Sequence, residues 1–154
     1  MSQHRTSNPW LIRAGRAGIG LLLAPAFSVL AASPVATHAA ETGAELKASV
    51  ERGSAVYGKY CAGCHQANGA GLPGAFPPLA KSDYLMSDSQ RAIGVLLNGL
   101  SGKITVNGVI YNNSMPNFAY LKDQEIADVL NYAMNSWGNQ GGGVASAAVA
   151  AARG

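Results

Sequence analysis

The five residues Cys61-Ala62-Gly63-Cys64-His65 constrain this chain more than any other stretch of it. Two thiols three positions apart, with an imidazole directly after them, form the pattern of covalent c-type haem attachment. Each thiol can form a thioether with a haem vinyl group, and the histidine then stands under the iron. Two other readings of the pair compete. A thioredoxin-like redox pair needs a βαβ context, and the pattern of this sequence supplies none. A structural zinc site needs two more ligands at similar spacing, and the chain has only these two cysteines. Haem attachment accounts for both thiols, the adjacent histidine and the export pattern described next.

The chain has 154 residues, enough for one small domain. Its first 39 residues read as a secretory signal peptide. Arg5, Arg13 and Arg16 form a basic front, residues 17–30 are almost wholly apolar, and Pro34 with Thr37-His38-Ala39 brings a breaker and small residues near a cleavage point. The alternative is an uncut anchor, but the apolar run falls short of the ~20 residues of a spanning helix. Residues 40–139 form the functional domain, and 140–154 read as a flexible Gly/Ala-rich tail. Removing the leader changes the charge. Three of the eleven Lys and Arg precede residue 40, and the remaining eight match the eight Asp and Glu. A neutral domain has no overall field to draw it onto nucleic acid or an anionic membrane. A small exported domain usually needs a disulfide frame; here a covalent haem would take that place.

The apolar pattern is helical. Leu46, Val50, Gly53, Tyr57 and Tyr60 mark one face of a helix over 43–60. Gly53 is unfavourable inside a helix by about 1 kcal/mol; it is either tolerated or admits a second helix at close range. Residues 66–80, rich in Gly and Pro, read as a loop. Ser87-Asp88-Ser89 offers capping oxygens to a short helix over 91–97 that Asn98-Gly99 ends. Ile104-Thr105-Val106 and Val109-Ile110-Tyr111 flank Asn107-Gly108, a strong hairpin signal. Residues 123–137 form the clearest helix, with Ile126, Val129, Leu130, Ala133 and Trp137 on one stripe. The expected class is all-α, with three to four helices around the haem and a small β-hairpin insertion.

His65 would be the proximal ligand, and no other histidine follows the leader. The sixth ligand is sought among Met86, Met115 and Met134. Met134 falls within the terminal helix, where a core role is expected, and Met86 in a short polar segment close after His65. Met115 sits between Asn112-Asn113-Ser114 and Pro116, in a loop that can carry it over a haem face. It is favoured, and His/Met ligation raises the potential of the iron. Tyr84, Tyr111, Asn112, Asn113 and Trp137 could reach the haem propionates, but ordinary packing or turn formation explains each of them better.

Taken in order, Gly53-x-x-x-Tyr57, Cys61-x-x-Cys64-His65, Pro77-x-Leu79, Met115-Pro116 and Val129-Leu130-Asn131-Tyr132 resemble the class I cytochromes c over about 45–137. The resemblance implies that Gly53 and Tyr57 meet Tyr132 where the first and last helices cross. It also implies that the Pro77 carbonyl accepts a hydrogen bond from His65, a contact that orients a ligating imidazole, and that Leu79 packs on the haem. Gly99-Leu100-Ser101-Gly102, Tyr111-Asn112, Met115-Pro116 and Asn135-Ser136-Trp137-Gly138-Asn139 look similar to the haem c domains associated with copper nitrite reductases and to small cytochromes of denitrifying or alcohol-oxidising bacteria. The expected function is a periplasmic, monomeric, non-enzymatic one-electron carrier in a respiratory chain, denitrification among the possibilities. Its partners would be redox proteins, with no nucleic acid and no stable membrane insertion after cleavage. The alternatives are a cytochrome subunit of a larger dehydrogenase, nitrite reductase or oxidase, and a haem enzyme or gas sensor whose sixth ligand is labile.

Overall fold

The computed structural model describes residues 43–154; the leader expected over 1–39 lies outside them. Among these residues six helices and one two-stranded antiparallel sheet follow in the order α1 (Gly43–Tyr60), α2 (Ala62–His65), α3 (Asp83–Met86), α4 (Ser89–Asn98), β1 (Ile104–Val106), β2 (Val109–Tyr111), α5 (Asp123–Met134) and α6 (Ser146–Ala152). The helical class with a hairpin insertion is as expected. The larger helix number comes from the single turns α2 and α3 and from α6.

The fold is organised by the crossing of α1 and α5. A Cβ on Gly53 would lie 1.9 Å from the Asp128 carbonyl oxygen and 2.8 Å from the Tyr132 Cβ. The glycine is therefore required by a close helix–helix approach. One turn on, Tyr57 packs its ring 5.3 Å from Tyr132 and 4.9 Å from Trp137. The buried line of α1 is Ser49, Gly53 and Tyr57, with Leu46 and Val50 only half-buried beside it. Burial of a serine follows from its partners. Ser49 Oγ donates to Asp128 Oδ1 at 2.6 Å and accepts from Asn131 Nδ2 at 2.8 Å. Arg52 adds two bonds at 2.8 Å to the same carboxylate, and Gln124 a third at 2.9 Å.

α4 begins where its sequence cap stands: the Asp88 carboxylate accepts the Arg91 N–H at 3.0 Å. Its Ile93, Leu96 and Leu97 join Ile126, Leu130, Phe118, Leu121 and Met134 in the core. The hairpin pairs Ile104 with Tyr111 and Val106 with Val109, and Asn107 and Gly108 both take positive φ, at 51° and 79°.

Two boundaries differ from expectation. α5 stops at Met134 rather than Trp137, because Asn135 Nδ2 takes the Asn131 carbonyl and Asn139 Nδ2 takes that of Ala133. The segment 140–154, expected as a flexible tail, is instead a packed part of the domain. Alanine has the best intrinsic helix propensity, Val144 and Val149 are buried against the core, and Asn131 bonds both the N–H and the carbonyl of Val144. Arg153 then donates to Asp123 and to the carbonyls of Ala119 and Leu121. Composition alone hid this, since two valines and one arginine carry the attachment.

Two outcomes test the crossing. Gly53→Ala should lower the unfolding free energy by about 3 kcal/mol, because a backbone carbonyl is the clashing atom; denaturant titration measures it. Burial alone would raise the Asp128 pKa, but the bonds from Arg52, Ser49 and Gln124 outweigh it and hold the carboxyl below its usual value. The stability this contributes is complete above the unfolded carboxylate pKa of about 3.9 and is lost as the pH falls through the lower folded value. Asp128→Ala should therefore destabilise the protein by about 2 kcal/mol at neutral pH, with the loss shrinking below pH ~4 in the same titration run against pH.

Candidate haem site

The two thiols and the imidazole are presented by one continuous turn at the end of α1. The Cys61 N–H bonds the Tyr57 carbonyl at 2.9 Å, and the His65 N–H bonds that of Cys61 at 2.9 Å. The chain then reverses at Gln66, whose φ is +63°, with the Tyr57 hydroxyl donating to the Gln66 carbonyl at 2.7 Å. Both cysteines are free thiols; Cys64 is exposed and Cys61 largely covered. Burial, then the neighbouring Cys64, pushes the Cys61 thiol up to about 11.

His65 is buried. Its Nδ1 lies 3.0 Å from the Pro77 carbonyl oxygen. A carbonyl can only accept, so Nδ1 carries the proton and Nε2 holds the free lone pair. Burial pulls the imidazole pKa below its ordinary value, and the Pro77 bond opposes this in part. A neutral ring with one nitrogen oriented by a carbonyl is the form a metal ligand takes. The Pro77 loop reaches His65 through Gly71, whose N–H bonds the His65 carbonyl at 2.9 Å. A Cβ on Gly71 would stand 2.3 Å from the Phe76 carbonyl oxygen and 2.6 Å from that of Pro77. Its φ of +64° is a second reason for glycine at this position.

His65 lines an apolar cleft walled by Cys61, Pro77, Leu79, Leu85, Leu96, Ile104, Val106, Met115, Val129 and Leu130, among others. A shallower recess shares His65, Pro77, Leu100, Ile104 and Met115 and reaches Cys64 and Tyr111. Of the six residues singled out from sequence, Cys61, His65, Pro77, Leu79 and Met115 border the main cleft, and Cys64 borders the recess that shares His65, Pro77 and Met115 with it. Met134 is buried in the core and Met86 borders neither recess.

Met115 is held by its backbone, which exchanges two hydrogen bonds with Leu100 at 2.8 and 3.0 Å. Asn113 Nδ2 donates to the Ala75 carbonyl at 2.7 Å, pinning the methionine loop to the segment before Pro77. Trp137 is spent on Tyr57 and Tyr132, as ordinary packing. Sequence reasoning named Asn139 only within a motif and gave it no role at the site. Its side chain bonds the Leu79 carbonyl at 2.8 Å and the Ser82 N–H at 3.2 Å, fixing the wall beneath Leu79. A polar residue just past a helix end was the available signal. Among the described residues no three His, Cys, Asp or Glu side chains come together in one cluster, and the one sheet there is an antiparallel hairpin.

Residues 50–137 match the Cytochrome c family model. The chain belongs to the cytochrome c family. Over 91 residues it is 52% identical to cytochrome c-552 of Thermus thermophilus, covering 56% of this chain and 69% of that protein. It is also 36% identical over 98 residues to the cytochrome c subunit of the quinone alcohol dehydrogenase of Gluconobacter oxydans, covering 62% of this chain and 20% of that subunit. The cytochrome c subunit of the gluconate 2-dehydrogenase of Pantoea cypripedii is 35% identical over 94 residues, covering 58% of this chain and 21% of that subunit. The chain thus spans about a fifth of these dehydrogenase subunits. This cytochrome is an electron carrier, and its two thiols fit one covalently bound haem c. The apolar slot and the oriented imidazole suit that group.

Mass spectrometry of the denatured protein should find one haem still on the chain. Cys61→Ala and Cys64→Ala should each leave a single thioether, moving the pyridine haemochrome band to longer wavelength. The double variant should release its haem to acid–acetone extraction.

Proposed function

We propose that this cytochrome is a periplasmic one-electron carrier of a respiratory chain, with His65 and Met115 as the axial ligands of its haem. The carrying observation is that His65, oriented through Pro77, and Met115, fixed by its paired bonds to Leu100, both border the apolar cleft that Cys61 lines and the recess that Cys64 lines. Haem iron supplies reversible one-electron chemistry, and a thioether opposite an imidazole favours its ferrous form. The protein's own part is to exclude water with Leu79, Leu85, Leu96, Val129 and Leu130 and to hold both ligating side chains in place. With both axial positions taken, no open site remains for a substrate. Export rests on the basic, apolar and small-residue order of the first 39 residues, since thioether haem and a secretory leader call for the same side of the membrane. No described helix is long and apolar enough to cross a membrane.

A second reading has a specific observation behind it. The match to cytochrome c subunits of an alcohol and a gluconate dehydrogenase favours a dehydrogenase of that kind as redox partner, with this chain as its acceptor or as one of its subunits. Size-exclusion of the native protein from its source distinguishes a free carrier from a subunit.

An optical redox titration tests the main reading. The wild type should give one reversible one-electron transition and show the weak far-red charge-transfer band of a methionine-ligated ferric haem. Met115→Ala should abolish that band, lower the potential and let the ferrous form bind carbon monoxide rapidly. A band that survives Met115→Ala, or rapid carbon monoxide binding by the wild type at neutral pH, overturns the ligation and with it the closed-site carrier.

A further inference from the structure

The loop that carries Met115 and the loop that orients His65 are joined by a side chain. Asn113 Nδ2 donates to the Ala75 carbonyl at 2.7 Å. Among the described residues, this is the one hydrogen bond formed by 112–114, the segment between the end of β2 and Met115. Its acceptor is rigidly placed. Ala75 stands in a tight turn, where Leu72 and Phe76 exchange two backbone bonds at 2.8 Å and the Ala75 N–H bonds the Leu72 carbonyl at 3.0 Å. Just before that turn Gly71 bonds the His65 carbonyl, and just after it the Pro77 carbonyl holds His65 Nδ1. Asn113 is therefore anchored to the same loop that fixes the proximal imidazole.

The two flanks of Met115 are tied differently. Met115 itself pairs with Leu100, and the chain after it is held by the Phe118 N–H on the Leu96 carbonyl. The chain before it depends on Asn113. Ala75, Asn113, Ser114 and Met115 all border the recess that reaches Cys64. Asn113 is exposed and Ala75 half-buried, so the bond stands on the solvent side of that recess. A ligating side chain leaves a metal by moving with its loop, and a loop moves most easily about its less-tied flank. Here that movement requires Asn113 and Ala75 to part.

We propose that Asn113 is a positioning residue for the sixth ligand, and that its bond to Ala75 sets the rate at which Met115 gives way to a small anion or gas entering through the recess. In that exchange the thioether sulfur departs with its lone pair and the incoming ligand donates one in its place, so the iron keeps its oxidation state. Asn113 acts through Met115 and touches neither the iron nor the incoming ligand. The inference rests on Met115 ligation, and its test reports on that ligation separately.

Cyanide is the probe. Stopped-flow mixing of the ferric holoprotein with cyanide should give a rate that levels off at high concentration, where loss of the methionine limits it. Asn113→Ala should raise that limiting rate by about 3- to 10-fold, the worth of one hydrogen bond. Asn113→Asp, equal in size but without a donor at neutral pH, should raise it similarly. Before mixing, both variants should keep the far-red band of a methionine-ligated ferric haem. Asn98→Ala is the control, since it removes an exposed side-chain bond of similar kind, to the Gly94 carbonyl within α4. The band present throughout, with a wild-type limiting rate in both Asn113 variants, overturns the inference and leaves the ligation standing. A rise in Asn98→Ala as large as in Asn113→Ala also overturns it, as general loosening. A wild type without the band overturns the ligation and the inference together.

Discussion

The contact between Gly53 and the Asp128 carbonyl governs the rest of the molecule. It sets how deeply α1 and α5 interpenetrate, and the Asp128 carboxylate sets how α1 is rotated, through Ser49 and Arg52. One residue thus constrains α1 through both its main chain and its side chain. Since α2 continues from α1 after Tyr60, the crossing also decides where Cys61, Cys64 and His65 stand relative to the core. The thiols have no freedom of their own; they are positioned by a contact two turns earlier in the helix.

Much of this was legible in the sequence, and the reasons differ from residue to residue. The hairpin was legible because Asn107-Gly108 is one of few pairs that both accept positive φ. The start of α4 was legible because a cap is a local bond, from Asp88 to a residue three positions on. Gly53 left two readings open, and the structure settles them with a clash that no side chain could escape. What stayed hidden is the set of polar anchors that act across distance. Ser49 is the centre of a buried face because Asp128 and Asn131, about eighty positions away, satisfy it. Periodicity counts only apolar residues, so it drew the buried line of α1 through Leu46 and Val50 instead.

The same limit explains the C-terminal segment. Glycine and alanine predict a loose tail when each residue is weighed alone. Asn131, buried within α5, makes the segment part of the fold by bonding both backbone groups of Val144. A fully buried amide side chain is unfavourable without partners, so Asn131 and residues 140–154 depend on each other. Neither half of this arrangement carries a sequence signature.

That segment also connects to the site. Arg153 donates to the carbonyls of Ala119 and Leu121, in the loop that runs from Met115 to α5. The same loop is tied by the Phe118 N–H to the Leu96 carbonyl at 2.6 Å, by Asn113 to Ala75 and by the paired bonds between Met115 and Leu100. None of these contacts involves the methionine sulfur. The loop's shape therefore needs no bond from the methionine to iron, and under the proposed ligation a side chain held this way would keep its place when the charge of the iron changes. An electron carrier benefits from little rearrangement between its two oxidation states. In this chain that rigidity comes from backbone pairing on one flank of Met115 and from a C-terminal arginine on the other.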